Sequence, residues 1–286
     1  MIRRLCLVGL GVLGGSIAKA VRAEGLARDI VAVGRDPARL GVALAEGVVD
    51  RVTTALAEGL AGADVAVLCT PVTTLLGSLP AVFAAAGEGV ILTDVGSTKA
   101  RIVAEAERLA ERQPRTFIGG HPMAGSERNG YGASRADLFR GALVVVTPTD
   151  RSPAEAVKRV GEFWEALGAR VMHLDPDTHD RAVGAVSHMP HLVADAVVAA
   201  VAAMDPSFLD VAGAGFRDST RIAASNPTVW REIFQDNRAA VTAAVGAFRV
   251  ALDRLEALLS TGDERAIETE LDRIRGIRQA LGGAGR

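Results

Sequence analysis

Gly9-Leu10-Gly11-Val12-Leu13-Gly14 decides the reading of this chain. The stretch follows Arg4–Gly9, an apolar run that reads as a strand, and opens Leu13–Glu24, which reads as a helix. In that setting each glycine has a physical task. Gly9 permits a tight turn, Gly11 lets the backbone come close to a pyrophosphate, and Gly14 lets the helix pack closely on the sheet. The first turn of the helix, where Leu13 sits, offers free N–H groups and partial positive charge to phosphates. Glycines at this spacing are weak evidence alone; the strand–turn–helix context makes the stretch a dinucleotide-binding turn.

Outward from that turn, short apolar runs alternate with amphipathic stretches. Ile30–Val33, Val65–Cys69, Val90–Val95, Thr116–Ile118, Leu143–Thr147 and Arg170–His173 read as strands, and Pro37–Glu46, Thr98–Glu111 and Pro153–Leu167 as helices. Such alternation predicts an α/β fold with a Rossmann-type, doubly wound, mainly parallel sheet. Thr70-Pro71, closing the Val65–Cys69 strand, falls on the expected cofactor side. After Asp175 no further strand is evident, and Asp175-Pro176 has the form of a helix start. The expected organisation is a dinucleotide-binding domain, residues 1–174, and an all-helical domain for substrate binding and dimerisation, residues 175–286. In the latter, Val241, Val245, Phe248, Leu252, Leu255 and Leu259 recur at alternating steps of four and three, a helix-packing seam. Ile267, Leu271, Ile274 and Ile277 form a second stripe. Both stripes fit an intrachain core; they also fit helices facing a second subunit, and a homodimer through this domain is expected.

Composition narrows the class. With 286 residues, 49% hydrophobic and 23% charged, the chain is globular rather than disordered. Its net charge of −2 gives no electrostatic footprint for a nucleic acid. No uninterrupted apolar stretch reaches membrane-spanning length, so no membrane partner is expected. Arg3 and Arg4 followed by apolar residues mimic a secretory leader, but the same residues read better as strand, turn and helix. The cytoplasm is the expected compartment. Cys6 and Cys69 sit in strand-like runs as buried thiols, and no metal site is expected.

Ligands of an open α/β sheet bind beyond the carboxyl ends of its strands. At the second strand the chain reads Val33-Gly34-Arg35-Asp36-Pro37. Gly34 takes the place of the acidic residue that holds the ribose of NAD, and Arg35 beside it can pair with a 2′-phosphate, so NADP is favoured over NAD. Asp36 becomes the acidic residue if the strand ends later. Two polar clusters follow other strands: Asp94-Val95-Gly96-Ser97-Thr98-Lys99, and Gly119-Gly120-His121 running on to Ser126-Glu127. His121 is the general-base candidate, because imidazole accepts a proton near neutral pH, and Ser97 is placed to orient it or to bond the same hydroxyl. In the helical part, His188 and His191 share a helix face, read as a polar patch lining a substrate pocket. Arg221 is a carboxylate fork or, on the blander reading, the partner of a surface Asp218.

These stretches together resemble the prephenate/arogenate dehydrogenase family of tyrosine biosynthesis. The likeness rests on GLGVLGGS, LCTP, DVGSTK, FIGGHPMAGSE, VSHMPH and GFRDSTRIAASNPTVW, and runs through nearly the whole chain. It implies oxidative decarboxylation of a cyclohexadienyl small molecule, with hydride passing to nicotinamide and aromatisation driving the step. By resemblance, His121 accepts the hydrogen bond of the 4-hydroxyl and Ser97 supports it. Ser126 and Glu127 sit beside the pocket, His188, His191 and Trp230 belong to it, and Arg221 holds a carboxylate. The chain reads to Arg286 without a stretch for a mutase or regulatory domain, so any feedback by tyrosine is expected at the active site. Two rivals remain. A β-hydroxyacid dehydrogenase would need a lysine in the helical domain, and none follows Lys158. A dinucleotide-sensing protein without turnover would not need His121, Ser97 and Arg221 around the nicotinamide.

Overall fold

The computed structural model describes residues 1–125 and 130–283. The chain divides by compactness into Met1–Arg238 and Ala239–Arg286. The first unit begins β1 (Ile2–Val8), α1 (Val12–Ala23), β2 (Ala27–Val33), α2 (Pro37–Ala45), β3 (Arg51–Thr53), α3 (Leu56–Leu60), β4 (Val65–Leu68) and α4 (Val72–Ala85). It continues β5 (Ile91–Asp94), α5 (Ala100–Ala110), β6 (Thr116–Pro122), β7 (Leu143–Thr147), α6 (Ala154–Ala166) and β8 (Arg170–His173). The eight strands lie in the order β3-β2-β1-β4-β5-β6-β7-β8. Alternate residues of the central strands face two separate cores. Leu5, Leu7, Val65 and Val67 pack with α1, α2 and α6, while Cys6, Val8, Ala66 and Leu68 pack with α3, α4 and α5. A sheet buried on both faces accounts for strands that read as continuous apolar runs.

The structure corrects the expected sheet in three places. β3, α3 and α4 were not expected. Gly77 and Pro80 interrupt α4 and argue locally against a helix. Its buried Val72, Leu75, Leu79, Val82 and Phe83 nevertheless fall at helical spacing in one core, and burial of that stripe outweighs propensity. β7 pairs antiparallel with β6, and β8 then runs parallel to β7. β6 also runs further than expected. Thr116–Ile118 pair with β5, then Gly119–Pro122 leave it for β7, so His121 lies within the strand. The two glycines permit that change of partner: a Cβ at Gly119 would lie 2.3 Å from Thr147 Oγ1, and one at Gly120 2.9 Å from the Asp94 carbonyl oxygen.

Beyond His173 the first unit is helical, with α7 (Pro176–Val183), α8 (Met189–Met204), α9 (Ala214–Thr220) and α10 (Pro227–Asp236). Asp175 caps α7, accepting from Thr178 N at 2.9 Å, with Pro176 in the first turn, as the sequence predicts. Gly184–His188 joins α7 to α8 as one π-helical turn, a local widening that recurs at functional sites. The continuous run Pro176–Met204 has the length and apolarity of a membrane span, yet it carries His179, Asp180, His188 and His191, all buried. The second unit holds α11 (Arg238–Thr261) and α12 (Glu264–Gly283), joined at Gly262. Glu270 pairs there with Arg254 and Arg273. Leu252 and Leu259 of the first stripe are exposed, as are Leu271, Ile274 and Ile277 of the second.

Candidate active site

The carboxyl ends of β1, β2, β4, β5 and β6 carry the residues the sequence singles out. Gly9 adopts φ +99°, where a side chain would be strained, and its N–H donates to Val33 O at 2.8 Å. A Cβ on Gly14 would lie 2.1 Å from Gly9 O, so only glycine lets α1 start this close to β1. A Cβ on Gly11 would meet nothing within 4 Å, which leaves the turn open to a ligand. No side chain caps α1 and its first turn has no acidic residue. Leu13, half-buried, packs against the core, and Thr70 Oγ1 is buried with no partner among the described residues. Pro71 is exposed at the start of α4. Open turn, free helix N–H groups and an unpartnered hydroxyl fit the diphosphate of a nicotinamide dinucleotide. At the second strand, β2 ends at Val33 and Asp36 is committed elsewhere. It caps α2 through Ala38 N at 3.0 Å and Arg39 N at 3.3 Å, and pairs with Arg39 at 3.1 Å. Arg35 beside it is exposed.

His121 is 7% exposed and lines a cavity of about 380 Å³. The sequence reading missed its partners. His121 Nδ1 lies 2.8 Å from His179 Nε2, and His179 Nδ1 lies 2.8 Å from Asp180 Oδ1. The carboxylate fixes the tautomers: His179 donates Nδ1–H to Asp180, its Nε2 accepts from His121 Nδ1–H, and His121 Nε2 keeps its lone pair. Burial, then the neighbouring His179, Lys99 and His188, hold His121 well below the usual histidine range, so it is neutral at pH 7. Burial opposes ionisation of Asp180, but hydrogen bonds from His179, Ala100 N and Lys99 N prevail and keep its carboxyl low. Ser97 is half-buried on the turn after β5, and among the described residues no hydrogen bond joins it to His121.

The opposite wall of the cavity comes from the helical segment: Ser187 of the π turn, Arg221, Asn226, Val229 and Trp230. Arg221 therefore faces the same space as His121, and among the described residues it makes no ion pair with Asp218. Asn226 Oδ1 caps α10, accepting from Thr228 N at 2.9 Å, which leaves its NH2 as the free polar group. His188 and His191 stand behind that wall and are not among its lining residues. His191 stacks on Trp230 with ring centroids 3.4 Å apart, and His188 meets the same indole edge-on at 6.0 Å. His188 Nδ1 accepts from the Asn237 amide at 3.1 Å, and burial lowers its pKa to about 4. Ser126 and Glu127, expected beside the pocket, lie outside the described residues. Four of the chain's five histidines gather here. That clustering, and the adjacent His179-Asp180 at a helix start where the sheet ends, were the available clues to the missed pair.

The prephenate dehydrogenase nucleotide-binding domain matches residues 17–173, and the prephenate dehydrogenase dimerization domain matches residues 175–273. Prephenate dehydrogenase of Bacillus subtilis is 33% identical over 238 residues, covering 82% of this chain and 64% of that protein. The match thus spans less than two thirds of that relative's length. Prephenate dehydrogenase from Aquifex aeolicus, solved with hydroxyphenyl propionate and NAD+, superposes with a TM-score of 0.91 at 32% identity, covering 98% of this chain and 99% of that one. Synechocystis arogenate dehydrogenase superposes at 0.85 with 29% identity, covering 97% and 99%.

Proposed function

Because this chain belongs to the prephenate dehydrogenase family, we propose that it oxidatively decarboxylates a cyclohexadienyl substrate, with a nicotinamide dinucleotide as hydride acceptor. The observation that carries the proposal is the sharing of one cavity by His121 and Arg221. In this reading Arg221 holds a substrate carboxylate as a planar fork. His121 Nε2 takes the proton of the ring hydroxyl, while His179 and Asp180 orient the imidazole and stabilise the charge it gains. Ser97 and the Trp230 wall, backed by His188 and His191, shape the space around the ring. Gly9, Gly11, Leu13, Gly14, Thr70 and Pro71 hold the dinucleotide. Ser126 and Glu127 keep their place in the proposal on sequence resemblance alone.

The finer choices rest on separate observations. NADP over NAD is supported by the engagement of Asp36 in its cap and with Arg39, which leaves the exposed Arg35 at the end of β2 to meet a 2′-phosphate. Prephenate over arogenate is supported by the cavity's polar lining. Arg221 and the Asn226 NH2, both lining the cavity, offer donors to a keto oxygen or a carboxylate. A homodimer formed through α11 and α12 fits the exposed apolar stripes. Residues 1–174 as nucleotide-binding part and 175–286 as substrate and dimer part follow the change from strands to helices after His173, and the enzyme is placed in the cytoplasm with other small-molecule biosynthesis.

The test is nicotinamide reduction with prephenate and arogenate, each against NADP and NAD. The expected result is turnover, with kcat/KM for prephenate at least about tenfold above arogenate. Tight cofactor binding without reduction by either substrate would transfer the chain to the sensor reading.

A further inference from the structure

Asp94, the last residue of β5, is fully buried, and its two oxygens do different things. Oδ2 accepts the backbone N–H of Gly96, the residue before Ser97, at 2.8 Å. Oδ1 accepts the backbone N–H of Gly120, the residue before His121, at 3.0 Å. Lys99 Nζ pairs with Oδ2, and its side chain is also 0% exposed. The surroundings are built to this pair. A Cβ at Gly96 would stand 2.8 Å from Asp94 Oδ2 and 3.3 Å from Lys99 Nζ, and one at Gly119 would stand 3.3 Å from Lys99 Cδ. The backbone of Lys99 in turn donates to Asp180 Oδ1 at 2.7 Å, the oxygen that also receives His179.

We propose that Asp94, held by Lys99, is the positioning residue of the reaction: one carboxylate that ties the backbone ahead of Ser97 to the backbone ahead of His121, resting on the catalytic roles proposed above for those two. The physical reason is one of geometry. Ser97 lies on the turn after β5 and His121 on the part of β6 that has left β5, so a link between these two segments helps to set their separation. A carboxylate accepting one N–H from each does so, and an unpaired charge there would be prohibitive without a cation. A buried ion pair seldom stabilises a fold more than an apolar pair of the same shape, so its contribution lies in register rather than in stability. Among the described residues, the charged and titratable groups facing His121 are His179 of α7, Lys99 at the start of α5, His188 of the π turn and, across the cavity, Arg221; Lys99 is faced in turn by Asp94, Asp180 and Asp236, and Asp236 accepts from Thr98. Lys99 is the cation among them that disfavours a proton on His121.

Asp94→Asn, Lys99→Met and their combination test the idea. The double variant carries no unpaired buried charge. It is expected to fold, to bind NADP within about threefold of the parent by fluorescence titration, and to lose turnover by about tenfold or more with little change in KM. The His121 imidazole, followed by nuclear magnetic resonance, is expected to titrate at higher pH in Lys99→Met and not in Asp94→Asn. A double variant that fails to fold makes the pair a structural element and overturns the proposal. A folded double variant with turnover within about twofold of the parent does the same, as does an unmoved His121 titration in Lys99→Met. If the parent reduces nicotinamide with neither substrate, the functional reading fails, while the titration arm still decides on the coupling of Lys99 to His121.

Discussion

The carboxyl ends of the strands and the helical segment that faces His121 are built by different means. On the sheet edge the work is done largely by backbone: Gly9 at positive φ, Gly14 against the Gly9 carbonyl, and Gly119-Gly120 carrying β6 from one neighbour to another. On the helical wall it is done by side chains that find one another across distance: His179 with His121, Asn237 with His188, Trp230 with His191. A site made of backbone is written in consecutive residues; a site made of side-chain partnerships is not. The difference also predicts how each side fails. Loss of the base on the sheet side stops chemistry, whereas loss of a group on the helical side weakens orientation or binding.

The largest effect is expected for His121→Asn, which should lower turnover by roughly a hundredfold or more in a nicotinamide-reduction assay. In the parent, the acid limb of kcat/KM should lie well below pH 6.5, because His121 stays neutral until the pH falls through its depressed pKa. A limb at or above the usual histidine value would put another group in the role of base. Next, His179→Ala should lower kcat by about tenfold while leaving NADP affinity unchanged, since it orients the base without meeting the cofactor. If His179→Ala is as damaging as His121→Asn, the division between sheet side and helical side breaks down.

Arg221→Ala should raise the substrate KM by about tenfold with a smaller change in kcat. A normal KM in that variant would remove the guanidinium from the binding site. The smallest effect is expected for Arg35→Ala, which should weaken NADP by severalfold while NAD binds as before, read as dissociation constants. Equal losses for both cofactors would return the choice of dinucleotide to some other residue.

The Gly9–Gly14 turn, the strand–helix alternation up to His173 and the capped start at Asp175-Pro176 were legible because each depends on neighbours in the chain. His121 and Arg221, which line one cavity, could be singled out by residue type, though one hundred residues separate them. Less could be read where long-range burial overrode local preference. α4 forms despite Gly77 and Pro80 because its apolar stripe completes a core. β7 runs antiparallel because of what it pairs with, not because of its own residues.

By itself, then, the sequence determined the glycine turn after the first strand and the α/β half followed by helices, since periodicity, glycine placement and capping act over a few residues. Only the tertiary structure decided that Asp180 and His179 set the tautomer of His121, that Asp94 joins two strand ends, and that Asp36 is spent on a cap. Hydrogen bonds of that kind depend on direction and distance between groups far apart in the chain, and neither is encoded in spacing along it.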